Sequence, residues 1–332
     1  MARPSYLPDN FTFAIVATVV GASLFPCSGV IAHALDTVTV LAIGLLFFLH
    51  GAKLPREAVV AGATHWRLHL LVLASTFVMF PLLGLLLKPL ALTLTTPELY
   101  YGLLFLCALP STVQASIAFT AVAKGNVPAA ICSASASNLL GIFVTPLLVG
   151  LLLAGSGTGH ASFDSLMKIV LQLLVPFGAG QFARKWIGPW VDRHKPVLRL
   201  VDQVSILLVV YTAFSEAVNQ GLWHRLPPSA LAGLVVMNLI LLGLALSIST
   251  WVSRRLGFNR ADETTIVFCG SKKSLASGVP MAKVLFASQS VGMIVLPLML
   301  FHQIQLMVCA VLAQRYARRA EASGDAALKP LA

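Results

Sequence analysis

An all-α membrane protein of ten transmembrane helices is the fold class predicted from three features of the sequence. Of the 332 residues 58% are hydrophobic and only 11% charged, with a mean hydropathy of +0.87, whereas soluble domains carry roughly 25% charged residues. The charges fall in short clusters and leave charge-free stretches at 10–35, 68–87, 99–123 and 284–314, each near or above the ~20 residues that cross a bilayer. All the tryptophans, Trp66, Trp186, Trp190, Trp223 and Trp251, sit near the ends of apolar runs, where amphipathic rings form an interfacial belt.

Reading apolar runs against charged breaks places spans near 11–25, 35–51, 67–87, 98–122 and 127–153, and a second set near 165–183, 199–220, 228–252, 262–286 and 290–313. The first run has a basic residue before it and small residues after, like a signal peptide. Leu24, Phe25, Pro26 and Cys27 make a poor cleavage site, so it is read as a span. With the N-terminus in the cytoplasm, only Lys88, Lys168, Arg225 and Lys283 fall on the outer side. Every other Lys and Arg apart from Lys272 and Lys273 falls inside. The positive-inside rule therefore predicts cytoplasmic N- and C-termini, and the short loops suggest a plasma (inner) membrane. Ten spans divide into a first repeat at 10–154 and a second at 163–315, with a cytoplasmic tail at 316–332. An odd number of spans per set would invert the second relative to the first, an architecture common among secondary transporters.

The net charge of +11 flanks apolar spans and forms no stripe, and no nucleic-acid recognition motif accompanies it. The cysteines Cys27, Cys107, Cys132, Cys269 and Cys309 have no CxxC or Cys/His zinc spacing and read as buried thiols. Ser271 stands beside two lysines, but adjacent residues do not normally bring nucleophile and base together, and GxSxG, HExxH and phosphate-loop motifs are absent. No enzyme is predicted, and no cofactor other than a candidate coupling ion, Na+.

The fourth span reads Ala108-Leu-Pro-Ser-Thr-Val-Gln-Ala-Ser116. Pro110 removes a backbone donor and frees carbonyls. Ser111, Thr112, Gln114 and Ser116 either build an ion and substrate site there or merely satisfy a kink. In the fifth span Ser133 and Ser137 share a face beside Asn138; small residues at this spacing also simply let helices approach. The ninth span carries the sharpest signal, Cys269-Gly-Ser-Lys-Lys-Ser-Leu-Ala-Ser-Gly-Val-Pro280. A lysine at mid-membrane costs about 2.5–3.5 kcal/mol on insertion scales, so Lys272 and Lys273, flanked by Ser271 and Ser274, predict a cavity with an anion-attracting field. The alternatives are a loop between two short segments, or a structural pairing with Glu216. In the tenth span His302 and Gln303 are further polar candidates, as proton relay or as interhelical hydrogen bonders.

Together, the stretch Leu35 to Leu54, the broken fourth span, Lys124-Gly-Asn-Val, Asn138 to Leu148 and Gly270 to Phe286 resemble the bile acid:sodium symporter family, in particular its bile acid transporter-like branch, over about 10–315. The resemblance implies two inverted five-helix repeats, a panel of spans one, two, six and seven beside a core of the others, and unwound, crossed fourth and ninth helices. It also implies two sodium sites. The positions of the family's sodium-binding Glu and Gln fall here at Val267 and Ser271, and the fifth-span hydroxyl positions at Ala130 and Ala134. The expectation is thus an alternating-access transporter of a small organic anion with altered or absent sodium dependence, in contact with membrane lipid. A symporter with sodium rebuilt at Ser111, Ser116 and Asn138, or a non-transporting regulator of ion homeostasis, are the alternatives.

Overall fold

The computed structural model describes residues 10–53, 65–153, 163–286 and 291–327, and among them every regular element is a helix. In chain order these are α1 (Asn10–Leu24), α2 (Gly29–Lys53), α3 (Trp66–Leu86), α4 (Lys88–Leu94), α5 (Pro97–Ala108), α6 (Gln114–Val122) and α7 (Val127–Leu153). They continue as α8 (Phe163–Arg193), α9 (Lys195–Asn219), α10 (Leu222–Arg225), α11 (Pro228–Arg255), α12 (Arg260–Gly270), α13 (Leu275–Leu285) and α14 (Val291–Ala327). Arg3, Arg56 and Lys329, which entered the charge balance, lie outside the described residues.

Six helices, α2, α3, α7, α9, α11 and α14, are long and apolar enough to cross a membrane. The predicted fourth and ninth spans are each two half-helices: α5 and α6 part at 109–113, and α12 and α13 at 271–274. The chain leaves α1 ahead of Pro26, whose ring disfavours helix at the preceding residue, and re-enters helix at Gly29, φ +60°. That start precedes the predicted boundary at 35. Asp36 sits inside α2, where Lys283 meets it at 3.1 Å. The same ammonium takes Glu216 at 3.2 Å, so Glu216 pairs with Lys283 and not with Lys272 or Lys273. Charges fail to end α8 as well: it runs past the predicted 183 through Arg184 to Arg193, with Arg184 paired to Asp192 at 3.5 Å. The tenth span continues as helix to Ala327, through most of the predicted tail.

Two groups of helices result. α1 packs on α9 and α2 on α8 and α9, while α3, α5, α6, α7, α11, α12, α13 and α14 pack among themselves; α9 joins the groups through α13 and α14, and α8 through α7. All five tryptophans are exposed, as are Leu24, Leu41, Leu86 and Leu151, an apolar surface suited to hydrocarbon. Asn126 and Asn259 are caps that tie loops to helices. Asn259 Oδ1 accepts the Asp262 amide at 2.9 Å, and Asn126 accepts the Ala129 amide at 3.1 Å while donating to Asp262 Oδ1 at 2.8 Å. These bonds fasten the start of α7 to the start of α12.

The α2–α8 pair is joined backbone to backbone. A Cβ on Gly51 would run into the Phe177 carbonyl, and one on Gly180 into the Phe48 carbonyl, the close approach that small residues permit between membrane helices. Gly180→Leu is therefore expected to lower the melting temperature of detergent-purified protein by the equivalent of at least ~1–3 kcal/mol, the usual toll of overpacking. Gly44→Ala on the same α2, where a Cβ meets nothing within 4 Å, should leave it unchanged or slightly raised. Fluorescence-monitored thermal unfolding of the two variants checks this.

Candidate functional site

The two interruptions lie against each other, and each satisfies the helix end that the other exposes. An α-helix leaves its last carbonyls without intrahelical donors, and here two such ends, of α5 and α12, are buried at one place. The Ser274 amide donates to the Pro110 carbonyl at 2.9 Å, linking one break to the other. From the first break, Ser111 Oγ donates to the Cys269 carbonyl at 2.5 Å and Ser116 Oγ to the Phe268 carbonyl at 3.2 Å. Thr112 Oγ1 meets Ser116 Oγ at 3.0 Å. Ser271 covers Val267 O with its own hydroxyl at 2.6 Å. From the second break, Lys273 does the reciprocal work.

Lys273 is fully buried, and its ammonium donates to three carbonyls: Leu109 O at 2.7 Å, Cys107 O at 2.8 Å and Thr76 O at 2.8 Å. Two of these belong to the open end of α5. The third comes from α3, where Ser75–Met79 is π-helical and the Phe80 amide reaches back to Ser75 O. In that register the next donor would be residue 81, a proline with no N–H, so Thr76 O is left for the lysine. The Phe80 ring centroid lies 4.2 Å from the ammonium, adding a cation–π contact. Gln305 of α14 fixes the Lys273 backbone on both sides, accepting its N–H at 2.9 Å and donating to its carbonyl at 3.0 Å.

Lys272 is also fully buried but points elsewhere and is held less. Its ammonium donates to Ala115 O at 3.3 Å and lies 4.2 Å from the centroid of Phe119 and 4.8 Å from that of Phe268. The two ammonium groups thus diverge into separate enclosures, and the predicted single cavity shared by both is not formed. Adjacent residues in an extended turn project apart, one toward α3 and α5 and the other toward α6. Neither lysine is exposed, as a loop reading would require.

Around this crossing the remaining predicted residues divide. Ser137 Oγ accepts the Ser111 amide at 3.0 Å, and Asn138 donates to Ser111 O at 2.7 Å while its Oδ1 accepts from Ser277 Oγ at 2.7 Å. Ser274 caps α13 by accepting the Ser277 amide at 3.2 Å. Ser133 is buried but faces His69, 2.7 Å away, off the breaks. Gln114 is the first residue of α6 and is exposed, because Ser111, Thr112 and Ser116 occupy the inner face. His302 meets Gln305 at 2.9 Å, and the Gln303 side-chain nitrogen is buried with no hydrogen-bond partner among the described residues. Residues absent from the predicted set carry much of the geometry: Gln305, Ser277, Thr76, and Thr145, whose hydroxyl donates to Ala108 O at 2.9 Å.

Ser111 Oγ and Ser116 Oγ lie 3.4 Å apart. Both hydroxyls donate to carbonyls of α12, and the Asn138 oxygen accepts from Ser277.

The family model of the SBF-like CPA transporter family matches residues 9–318. The chain is 69% identical over 319 residues to "Uncharacterized protein PA2026" of Pseudomonas aeruginosa, covering 96% of each. It is 56% identical over 313 residues to "Putative symporter YfeH" of Escherichia coli K12, covering 94% of each. With "Sodium/bile acid cotransporter 7" of Danio rerio it shares 32% identity over 310 residues, 91% of each.

The difference in partners between the lysines has a measurable consequence. Lys273→Met keeps the length of the stem but abandons three buried carbonyls, each unsatisfied acceptor costing ~1–3 kcal/mol. Lys272→Met abandons one longer bond and two ring contacts. Thermal unfolding should therefore rank Lys273→Met as the more damaging substitution by several degrees; equal losses would show that the carbonyl contacts contribute little.

Proposed function

We propose that this chain, which belongs to the SBF-like CPA transporter family, is a secondary transporter of a small organic anion that works by alternating access without depending on sodium. It is a multi-pass membrane transporter of bile acid:sodium symporter-like type and not an enzyme. The finer reading rests on one observation: the Lys273 ammonium occupies a ring of three carbonyls, at 2.7–2.8 Å, at the unwound end of α5. Carbonyls at a broken helix end are what a coupling cation would use. Here a covalently attached cation fills the place, and the carboxylate that the family's ion site would need is Val267.

In this proposal the fold is two inverted five-helix repeats, each broken in its fourth span, with both termini cytoplasmic in a plasma or inner membrane. The site comprises Ser111, Thr112, Ser116, Ser137, Asn138, Ser271, Lys272, Lys273 and Ser274, supported by Gln305 and Ser277. The two lysines have different tasks. Lys273 closes the end of α5 and holds the breaks in register. Lys272, with one carbonyl partner at 3.3 Å, has donors to spare for an anionic cargo. Among the described residues no ion pair reaches either lysine. The burial of the crossing means that cargo meets Lys272 only after the half-helices shift, a requirement natural to alternating access.

A second reading, sodium:organic-anion symport with an ion held at Ser111, Ser116 and Asn138, is favoured by the names of relatives such as "Sodium/bile acid cotransporter 7". Uptake of a radiolabelled bile acid by proteoliposomes, with and without an inward sodium gradient, separates the two. Equal uptake in both conditions is the expected result, and uptake only with the gradient selects symport. Melting temperatures in sodium chloride and choline chloride at equal ionic strength give a cargo-independent check. Wild type should show no difference, while Lys273→Ala, with its carbonyl ring vacated, should be stabilised specifically by sodium through preferential binding to the folded state. A sodium-specific rise in the wild type would instead mean that a separate ion site exists.

A further inference from the structure

A groove runs between α11 and α14, away from the crossing. On α11 Gly243, Ser247 and Trp251 are exposed and four residues apart, so they share one face. On α14 Val308, Leu312 and Tyr316 repeat that spacing opposite them, and together the two stripes border about 660 Å³, within the roughly 300–1,000 Å³ of small-ligand sites. A side chain on Gly243 would meet nothing within 4 Å. This glycine therefore admits no neighbouring helix of the chain; it deepens the groove at the level of the apolar span.

The character of the groove changes along its length. Leu246, Val308 and Leu312 make one end apolar. At the other, Trp251 is exposed with the Arg255 guanidinium 5.6 Å from its ring centroid. Arg254 beside it is neutralised by Glu263, which accepts from it at 2.9–3.1 Å, and Tyr316 donates to the same carboxylate at 3.5 Å. Past Glu263 the surface continues into a smaller recess bordered by Lys124, Arg260 and Arg319. An apolar trough thus opens at a helix end where a tryptophan and the exposed Arg255 meet, the combination found where membranes present anionic headgroups.

We infer that this groove is a binding site for an anionic phospholipid, with an acyl chain laid along Gly243 and Leu312 and the phosphate against Arg255. Charge selects the occupant. A second copy of the chain would bring a further net +11 toward Arg255, whereas an anionic lipid brings the charge opposite to it. Because α14 also carries Gln305, the lipid braces the helix that clamps Lys273. The inference needs only a chain that resides in a membrane and is independent of cargo and coupling ion.

The test uses the purified full chain in mixed micelles with phosphatidylglycerol or phosphatidylcholine of identical acyl chains, and separately with inorganic phosphate. Phosphatidylglycerol should raise the melting temperature above phosphatidylcholine by about 3 °C or more, and phosphate alone should not. Gly243→Leu, which grows into open space and so should match wild type in phosphatidylcholine, should abolish the difference; Arg255→Gln should reduce it by at least half. Equal effects of the two lipids, or a preference that survives both substitutions, would overturn the inference. So would a rise with inorganic phosphate equal to that with phosphatidylglycerol, which would assign the basic end to a soluble anion. Stabilisation that follows protein concentration without lipid and disappears in Gly243→Leu would seat a second copy there and overturn it equally.

Discussion

The arrangement of the core follows from where the Lys273 ammonium is placed. A buried charge is tolerated only when its hydrogen-bonding capacity is filled, since desolvation otherwise costs several kcal/mol. Lys273 has three donors and meets three carbonyls, a full match to the geometry of an ammonium. None of those carbonyls would be available in regular helices: two require that α5 stop at Ala108, and the third requires the π-helical turn at Ser75–Met79 and the proline after it. Three irregularities in two helices therefore exist as one unit with one side chain.

The two breaks are complementary in chemistry as well as position. The first offers short hydroxyls, which reach the carbonyls of α12 across a close contact; the second offers a long cation, which reaches past Pro110 to α5 and α3. Glycines on the helices flanking the first break leave room for its side chains. A Cβ at Gly141 would strike the Pro110 ring and one at Gly278 the Leu109 side chain. Replacing hydroxyls and lysine by apolar residues of equal volume would satisfy packing and leave two helix ends exposed to hydrocarbon, where unpaired carbonyls are not tolerated.

Much of this was legible in the sequence. Pro110 and the run Gly270 to Pro280 located both breaks, because each carries helix-disrupting residues among hydroxyls in otherwise apolar spans, and two lysines at mid-span singled out the second. What escaped was the identity of their partners. Pro81 lay in a span that reads as continuous, and a proline alone does not announce a π turn, so Thr76 gave no sign. The tenth-span candidates His302 and Gln303 leave out Gln305, yet Gln305 lies three residues from His302 and so on its face of α14, while Gln303 is rotated about 100° from His302. Glu216 reads as a partner for the paired lysines, because the sequence does not reveal that Lys283 gathers it together with Asp36. Backbone carbonyls have no letter in a sequence, and the divergence of Lys272 from Lys273 depends on which carbonyls are free.

The clamp that Gln305 makes on Lys273 has a mechanical corollary. It ties the break between α12 and α13 to one point on α14, a helix of 37 residues and so roughly 55 Å long at 1.5 Å per residue. Gln305 is nearer the middle than either end, and the helix beyond it continues without proline to Ala327. A rotation of a few degrees about that fulcrum is converted into a displacement of roughly 2–3 Å at the helix tip. The far end of α14 is thus a natural pointer, and a spectroscopic label on its last described turn would read the state of a crossing that is itself too deeply enclosed to be probed directly.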